Sequence, residues 1–204
     1  MKTMMMIAII ALMLMIAYEI YRCYWLKKAL RTETWLPIVH TDGSVHGKIA
    51  ASVAQECTIK YLHPVIRIAL IHNGMLFLKE RPDSDRQLDF PVERHLRYGE
   101  SLEEGVKKAF LTHAGTSGLP ANFMFRYEYK VPPTHRLIYL YACNIVNKNQ
   151  LDELHLGEGK WWTVKQIEDN LGSTIFSPYF EEEFEFLDST VLMVDRMMRE
   201  SKAC

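Results

Sequence analysis

The residues whose types could do chemistry include three arginines, Arg81, Arg94 and Arg97, and the carboxylate of Glu100. Arginine binds phosphate through two parallel hydrogen bonds, so these three side chains are candidate ligands for an anion without a metal. Arg81 could instead be an exposed charged residue of a polar loop, with no ligand. Glu100 is either a functional carboxylate or an acidic residue that the positive end of a helix dipole favours. It is the best candidate for a catalytic position.

Ser101 and Glu104 follow Glu100 with the S-x-x-E spacing of a capping box, in which each side chain bonds to the backbone of the other residue. The spacing predicts a helix start here, so Glu104 is expected to cap the helix. In an active enzyme, Glu100 and Glu104 are the carboxylates that would bind Mg²⁺ or Mn²⁺, since magnesium prefers hard oxygen ligands.

Four histidines lie on segments that are expected to flank one cleft of the domain. Two interpretations stay open: loop histidines with ordinary hydrogen bonds, or ligands of a softer metal. The four are His63, His95, His113 and His135.

The overall composition is that of an ordinary globular protein of 204 residues, with 49% hydrophobic and 24% charged residues. The formal net charge of −1 gives no basic field of the kind that binds nucleic acid, so no nucleic-acid partner is expected. The four cysteines are far apart and contain no C-x-x-C motif, which favours a reducing compartment over a disulfide-rich secreted domain.

The first 30 residues differ from the rest. Met4–Ala17 is an uninterrupted apolar run, and tyrosines and a tryptophan follow it as in an interfacial belt. We therefore predict that residues 1–30 form a hydrophobic helix in which residues 4–26 anchor the chain in the cell membrane. Basic residues follow the run, so the domain formed by residues 31–204 is expected in the cytoplasm. Two alternatives to a membrane anchor are a helix that packs on the domain and an N-terminal extension from a misassigned start codon. In either case the protein is expected in the cytoplasm.

The pattern of residues 31–204 predicts an α/β fold with a mixed sheet and helices on both sides. Asn73-Gly74 is typical of a two-residue hairpin turn between two strands. The sequence predicts helices at Ser101–His113, 164–171 and 181–199. It predicts strands at 65–71, 75–79, 123–129, 137–145 and 160–163. Neither the dinucleotide fingerprint nor the P-loop motif is present in the sequence.

The hairpin, the polar loop and the segment Arg97–Glu104 at a helix start occur in an order that resembles the Nudix hydrolase superfamily. The likeness covers residues 36–185, and the segments His40–Gly47, Leu62–Val65 and Lys79–Arg81 resemble the branch that includes isopentenyl-diphosphate isomerase. The resemblance implies an α/β/α sandwich. It also implies hydrolysis of nucleoside diphosphates linked to another moiety.

The Nudix box aligned on residues 94–116 is degenerate. The three helical glutamates that bind the metal in the family correspond to Ala109, Thr112 and His113. Two box glycines correspond to Glu93 and Arg94. Glu93 also stands where the isomerases carry a catalytic cysteine, so isomerase activity is not expected.

The principal hypothesis is therefore a catalytically impaired Nudix-fold protein that binds a nucleotide-like or other diphosphate ligand, or a protein partner. One alternative is an active pyrophosphohydrolase that uses Mg²⁺ or Mn²⁺ with carboxylates outside the usual box. A structural interaction domain is the third hypothesis.

Overall fold

The computed structural model describes residues 2–56, 60–82, 86–132, 134–194 and 197. Six helices, nine strands and one π-helical turn are present in this part of the chain. In chain order they are α1 Lys2–Thr32, β1 Trp35–Val39, β2 Val45–Ala50, α2 Ala51–Glu56, β3 His63–His72, β4 Met75–Glu80, β5 Leu88–Asp89, β6 Val92–His95, α3 Leu102–Ala114, β7 Asn122–Val131, β8 Thr134–Asn144, α4 Lys148–Asp152, β9 Lys160–Thr163, α5 Val164–Glu168, α6 Pro178–Leu187 and the π-helical turn Asp188–Leu192.

The main sheet is mixed, as the sequence predicts. Strand β3 lies at its centre and runs parallel to β8 but antiparallel to β4 and β6. The β3–β4 hairpin turns at Asn73 and Gly74, whose φ angles of 52° and 67° are the left-handed values that this turn requires. Strands β1 and β2 form a separate two-stranded sheet that the sequence pattern did not reveal.

Alternate residues of β3 face opposite sides of the sheet, because side chains in a strand have a period of two. Ile66, Ile68 and Leu70 belong to a core that contains Ala109 and Phe110 of α3. Ala69 and Ile71 belong to a second core, which α5 and α6 cover on the opposite face. The predicted α/β fold with helices on both faces of a mixed sheet is therefore confirmed.

Helix α3 begins and ends with local signals. The Ser101 hydroxyl accepts a hydrogen bond from the backbone N–H of Glu104, and the Glu104 carboxylate accepts one from the backbone N–H of Ser101, each at 3.2 Å. Gly115 ends the helix with φ 74°, a left-handed value. The predicted helix Ser101–His113 and its capping box are confirmed.

The N-terminal helix α1 is present, and its side chains from Leu12 to Trp25 are exposed. No helix in the described part of the chain is long and apolar enough to cross a membrane. The predicted anchor at residues 4–26 is therefore not supported. The uninterrupted apolar run of Met4–Ala17 covers ~21 Å, which is shorter than the ~30 Å hydrocarbon core, and the charged residues Glu19 and Arg22 follow it.

The last predicted helix, 181–199, differs from the structure at both ends. Helix α6 begins earlier, at Pro178, because Ser177 caps it by accepting a hydrogen bond from the backbone N–H of Phe180 at 3.1 Å. After Leu187 the regular helix gives way to the π-helical turn Asp188–Leu192. Residues 195, 196, 198 and 199 lie outside the described residues.

Candidate functional site

A cavity of about 580 Å³ opens where β6 and the starts of β3 and β8 meet. Its charged lining is strongly basic. Among the described lining residues, the only carboxylate is Glu93. The basic lining residues are Arg81, Arg94, Arg97, Arg136, His63, His95 and His135.

Strand pairing brings these residues together from distant parts of the sequence. The parallel pairing of β3 with β8 places His63 opposite Arg136. The antiparallel pairing of β3 with β6 places Arg67 opposite Glu93. Arg81 directly follows β4, and its backbone N–H bonds to the Gln87 carbonyl at 2.9 Å.

The three arginines predicted as anion ligands, Arg81, Arg94 and Arg97, all line this cavity. Glu100 and Glu104, the predicted metal ligands, are absent from its described lining. Glu104 caps α3 as described above. Arg97 is exposed, and its guanidinium has no ion-pair or hydrogen-bond partner among the described residues.

Basic neighbours compensate the negative charge of the ionised Glu100 carboxylate. Its carboxylate accepts hydrogen bonds from both terminal nitrogens of Arg94, at 2.7 and 3.1 Å, and from the backbone N–H of Arg97 at 3.0 Å. The Lys108 ammonium lies 2.9 Å away. Burial alone raises the pKa of this carboxyl, but the bonds from Arg94, Arg97 and Lys108 outweigh it and lower the pKa to about 2.

A buried network of charged side chains lies behind the cavity. Arg67, which is fully buried, forms ion pairs with Asp89, Glu93 and Glu183. Two arginines of the cavity complete the network: Arg81 binds Asp89 at 3.0 Å and Arg136 binds Glu93 at 2.7 Å.

This network contains three guanidinium groups and three carboxyl groups, and burial raises the pKa of one of these carboxyl groups, that of Glu183, to about 7. Burial raises the pKa of Glu93, but Arg67 and Arg136 reverse the effect and hold it at about 2, so Glu93 is ionised at neutral pH. Adding Arg94, Arg97, Lys108 and Glu100 gives six cations and four carboxylates around the cavity. The region therefore carries a surplus of at least two positive charges.

Two histidines of the cavity are uncharged at neutral pH. Burial lowers the pKa of His95 to about 4, and Arg136 adds to the effect. Burial also lowers the pKa of His63, although its hydrogen bond to the Pro37 carbonyl opposes the shift. The Nε2 of His135 lies 2.7 Å from a carboxylate oxygen of Glu128.

The donor set of the described residues does not fit a magnesium site. Glu100 is bonded to two cations, Glu104 is in the capping box, and Ala109, Thr112 and His113 of α3 supply no carboxylate. No group of three or more histidine, cysteine, aspartate or glutamate side chains could hold a metal ion within the described ranges. The four histidines do not form such a group either.

A second cavity, of about 340 Å³, lies on the other side of Arg81 and Glu93. It is lined by His113 of α3, one of the four histidines considered as metal ligands. The carboxylates of Glu80, Asp89 and Glu93 also line it, and those of Asp89 and Glu93 are bonded to arginines. Among the described residues this cavity therefore offers no pair of uncommitted carboxylates beside His113.

Sequence reasoning did not place Arg136 among the ligands, and it missed the network around Arg67. Arg136 becomes a site residue through the parallel pairing of β3 with β8, which involves strands about 70 residues apart and leaves no local pattern. Arg67 had a signal, because it is the one charged residue within the apolar segment 65–71. A buried charge requires partners, so that position predicts an ion pair.

No protein-family model matches the chain, and no curated protein matches it. Solved structures do match. Protein DR0079 from Deinococcus radiodurans superposes with a TM-score of 0.56 at 17% identity, over 74% of this chain and 97% of that one. The Nudix domain of NrtR from Shewanella oneidensis, complexed with ADP ribose, superposes with a TM-score of 0.50 at 10% identity, over 70% of this chain and 99% of that one. The chain therefore has a Nudix-like fold.

Proposed function

We propose that this protein binds a diphosphate-containing anion in the basic cavity without a metal ion, and that it is impaired as a hydrolase. One observation carries the proposal. The cavity lining has a surplus of positive charge, because four arginines line it and its one described carboxylate, Glu93, is already bonded to Arg67 and Arg136. A diphosphate would neutralise this surplus.

The size of the cavity supports a small-molecule ligand. Its volume of about 580 Å³ lies within the ~300–1,000 Å³ typical of ligand pockets. Arg97 offers a guanidinium that no described residue engages, and Arg94 lines the same cavity while its terminal nitrogens bond to Glu100. Hydrogen bonds from arginine to phosphate are charge-assisted and stronger than neutral ones.

The proposed loss of hydrolase activity follows from the lack of carboxylates that are free to bind a metal ion. A metal-dependent hydrolase needs several ionised oxygen ligands around one cation. In this chain Glu100, the one glutamate retained from the box, is held by Arg94 and Lys108. A divalent cation at Glu100 would have to displace both positive side chains.

Equilibrium binding of ADP to the full chain tests the proposal. ADP is a suitable probe because it carries a diphosphate, as does the ADP ribose bound to the NrtR domain. With EDTA present, we expect ADP to bind and Arg97→Ala to weaken it about tenfold, since a hydrogen bond to a charged group contributes about 1.5 kcal/mol or more.

Lys148→Ala is the matched control, because it removes one exposed positive charge outside the cavity lining. We expect this variant to bind ADP as the unmodified protein does. If both substitutions weaken ADP binding equally, the affinity depends only on the net charge of the protein, which would contradict a specific site at Arg97. Absence of ADP binding in EDTA would contradict the proposed function.

A further inference from the structure

Two arginines of the cavity, Arg81 and Arg136, are each held by a single terminal nitrogen. Nη1 of Arg81 lies 3.0 Å from a carboxylate oxygen of Asp89, and Nη1 of Arg136 lies 2.7 Å from one of Glu93. Both carboxylates are also bonded to the buried Arg67, which fixes them in place. Nε and Nη2 of the two arginines have no hydrogen-bond partner among the described residues. Each guanidinium therefore has one free edge that can donate two hydrogen bonds.

The free nitrogens of Arg81 and Arg136 are accessible to a ligand. Their side chains are 25% and 21% exposed. In the part of the chain that the structure describes, the buried side-chain nitrogens without a hydrogen-bond partner belong to His63, His95 and Trp162, and none belongs to an arginine. The unpartnered nitrogens of the two arginines are therefore not buried.

The two guanidinium groups share one aromatic ring. Their Cζ atoms lie 5.2 Å (Arg81) and 5.7 Å (Arg136) from the centre of the Tyr179 ring. Tyr129 stacks on one face of this ring, with the ring centres 3.8 Å apart, so the other face is left to the guanidinium groups. Two guanidinium groups on one ring face are close enough to act on the same anion, which each of them attracts.

The arginine pair lies where two cavities meet. Arg81, Thr134 and Arg136 line both the cavity of about 580 Å³ and a smaller one of about 190 Å³. Arg94 and Arg97 line the larger cavity and are absent from the described lining of the smaller one. The pair therefore occupies a different part of the cavity from the Arg97 guanidinium.

We propose that Arg81 and Arg136 form a second anion subsite, which binds a terminal phosphate group. The inference goes beyond the proposed function, because it concerns a phosphate other than the diphosphate near Arg97. Two free guanidinium edges offer four N–H donors, and a terminal phosphate accepts them with three oxygens, whereas a carboxylate has two. The ligand class that fits both positions is a molecule that carries a phosphate group separate from its diphosphate.

Inorganic phosphate is the probe for this subsite. The full chain is saturated with ADP in EDTA and titrated with phosphate, while phosphorus NMR follows free and bound forms of both ligands. We expect phosphate to bind without displacing ADP. Arg81→Gln and Arg136→Gln should each weaken phosphate binding at least about tenfold, because each removes one of two charge-assisted donor pairs. Acetate should compete at least about tenfold more weakly than phosphate.

Arg126→Gln is the matched control, because it removes the same side chain from an exposed position outside both cavity linings. We expect its phosphate affinity to equal that of the unmodified protein. Arg136→Lys is a second test variant, since it keeps the positive charge beside Glu93 but loses the planar fork. We expect intermediate phosphate affinity for it, and it serves if Arg136→Gln fails to fold.

The outcomes separate the two proposals. If phosphate displaces ADP, or binds equally to Arg136→Gln and to the unmodified protein, the second subsite is wrong while ADP binding stands. Equal competition by acetate would overturn the assignment of a phosphate group. If ADP does not bind, the proposed function is wrong, and phosphate binding to the ligand-free protein that Arg136→Gln weakens would still support the subsite.

Discussion

At the scale of single residues, neighbouring charges decide what a carboxylate can do. Arg94 and Lys108 bind the carboxylate oxygens of Glu100, the residue that the sequence made the best catalytic candidate. The side chain is only 4% exposed. An ionised, bonded and buried carboxylate stabilises the fold, and its oxygens are not available to a metal without loss of these bonds. We infer that Glu100 fixes the loop that positions Arg94 and Arg97.

Replacement of this carboxylate gives a prediction about stability and pH. The pKa of Glu100 falls from 4.5 to about 2 in the folded state. Its contribution to stability is therefore complete above pH 4.5 and disappears as the pH falls towards 2. At pH 7 we expect Glu100→Gln to lower the free energy of unfolding by about 2–3 kcal/mol, measured by urea denaturation. The difference should shrink steadily in acid.

Glu104→Gln is the control for that experiment, because it changes the same residue type four positions later on the same segment. Glutamine is accepted at this position of a capping box, so we expect a small effect that does not change with pH. If Glu100→Gln and Glu104→Gln behave alike from pH 7 to pH 3, the assigned role of Glu100 is wrong.

At the scale of secondary structure, short sequence motifs predicted the ends of helices and the positions of turns, but they did not predict which distant strands pair. The Ser101–Glu104 box and Gly115 define the ends of α3, and Asn73-Gly74 defines the β3–β4 turn; each depends on a few adjacent residues. Strand β6 has four residues and forms by pairing with β3. Nothing in the sequence of so short a strand specifies its partner.

Gly105 shows how tertiary packing overrides helix propensity in α3. A Cβ at this buried position would lie 2.5 Å from both Ile66 Cδ1 and Leu96 Cδ1. Propensity alone predicts that alanine stabilises a helix interior by about 1 kcal/mol over glycine. We expect the opposite sign, a loss of about 1–3 kcal/mol for Gly105→Ala in thermal or urea unfolding, because the core must be displaced.

Gly118→Ala is the matched control for this packing argument, since a Cβ there meets no atom within 4 Å and its φ is not in the left-handed region. We expect this variant to be as stable as the unmodified protein or slightly more so. A Gly105→Ala variant of unchanged or increased stability would show that the contact between α3 and β3 is looser than described.

At the scale of the whole molecule, the Arg67 network joins the sheet, the cavity and the C-terminal helix α6. Arg67 on β3 is paired with Asp89 on β5, Glu93 on β6 and Glu183 on α6, a residue 116 positions away in the sequence. The order of strands and helices in the sequence predicted a mixed sheet with helices on both sides. It did not predict this network, because the partners of Arg67 are specified only once the chain is folded.

Removal of Arg67 tests this network. We expect Arg67→Met to lower the free energy of unfolding by about 3–5 kcal/mol, because three buried carboxylates lose a shared cation. Lys107→Met, which removes an equal charge from an exposed pair with Glu103, should leave the urea midpoint unchanged. Similar midpoints for the two variants would contradict a stabilising role for the network.

The metal dependence of ADP binding tests the central claim most directly. The affinity of the full chain for ADP is measured by calorimetry with EDTA and again with excess MgCl₂, while phosphorus NMR follows the ligand for hydrolysis. We expect ADP to bind in EDTA with an affinity that magnesium does not increase, and we expect ADP to stay intact under both conditions. Binding that requires magnesium, with turnover that Glu100→Gln abolishes, would contradict it.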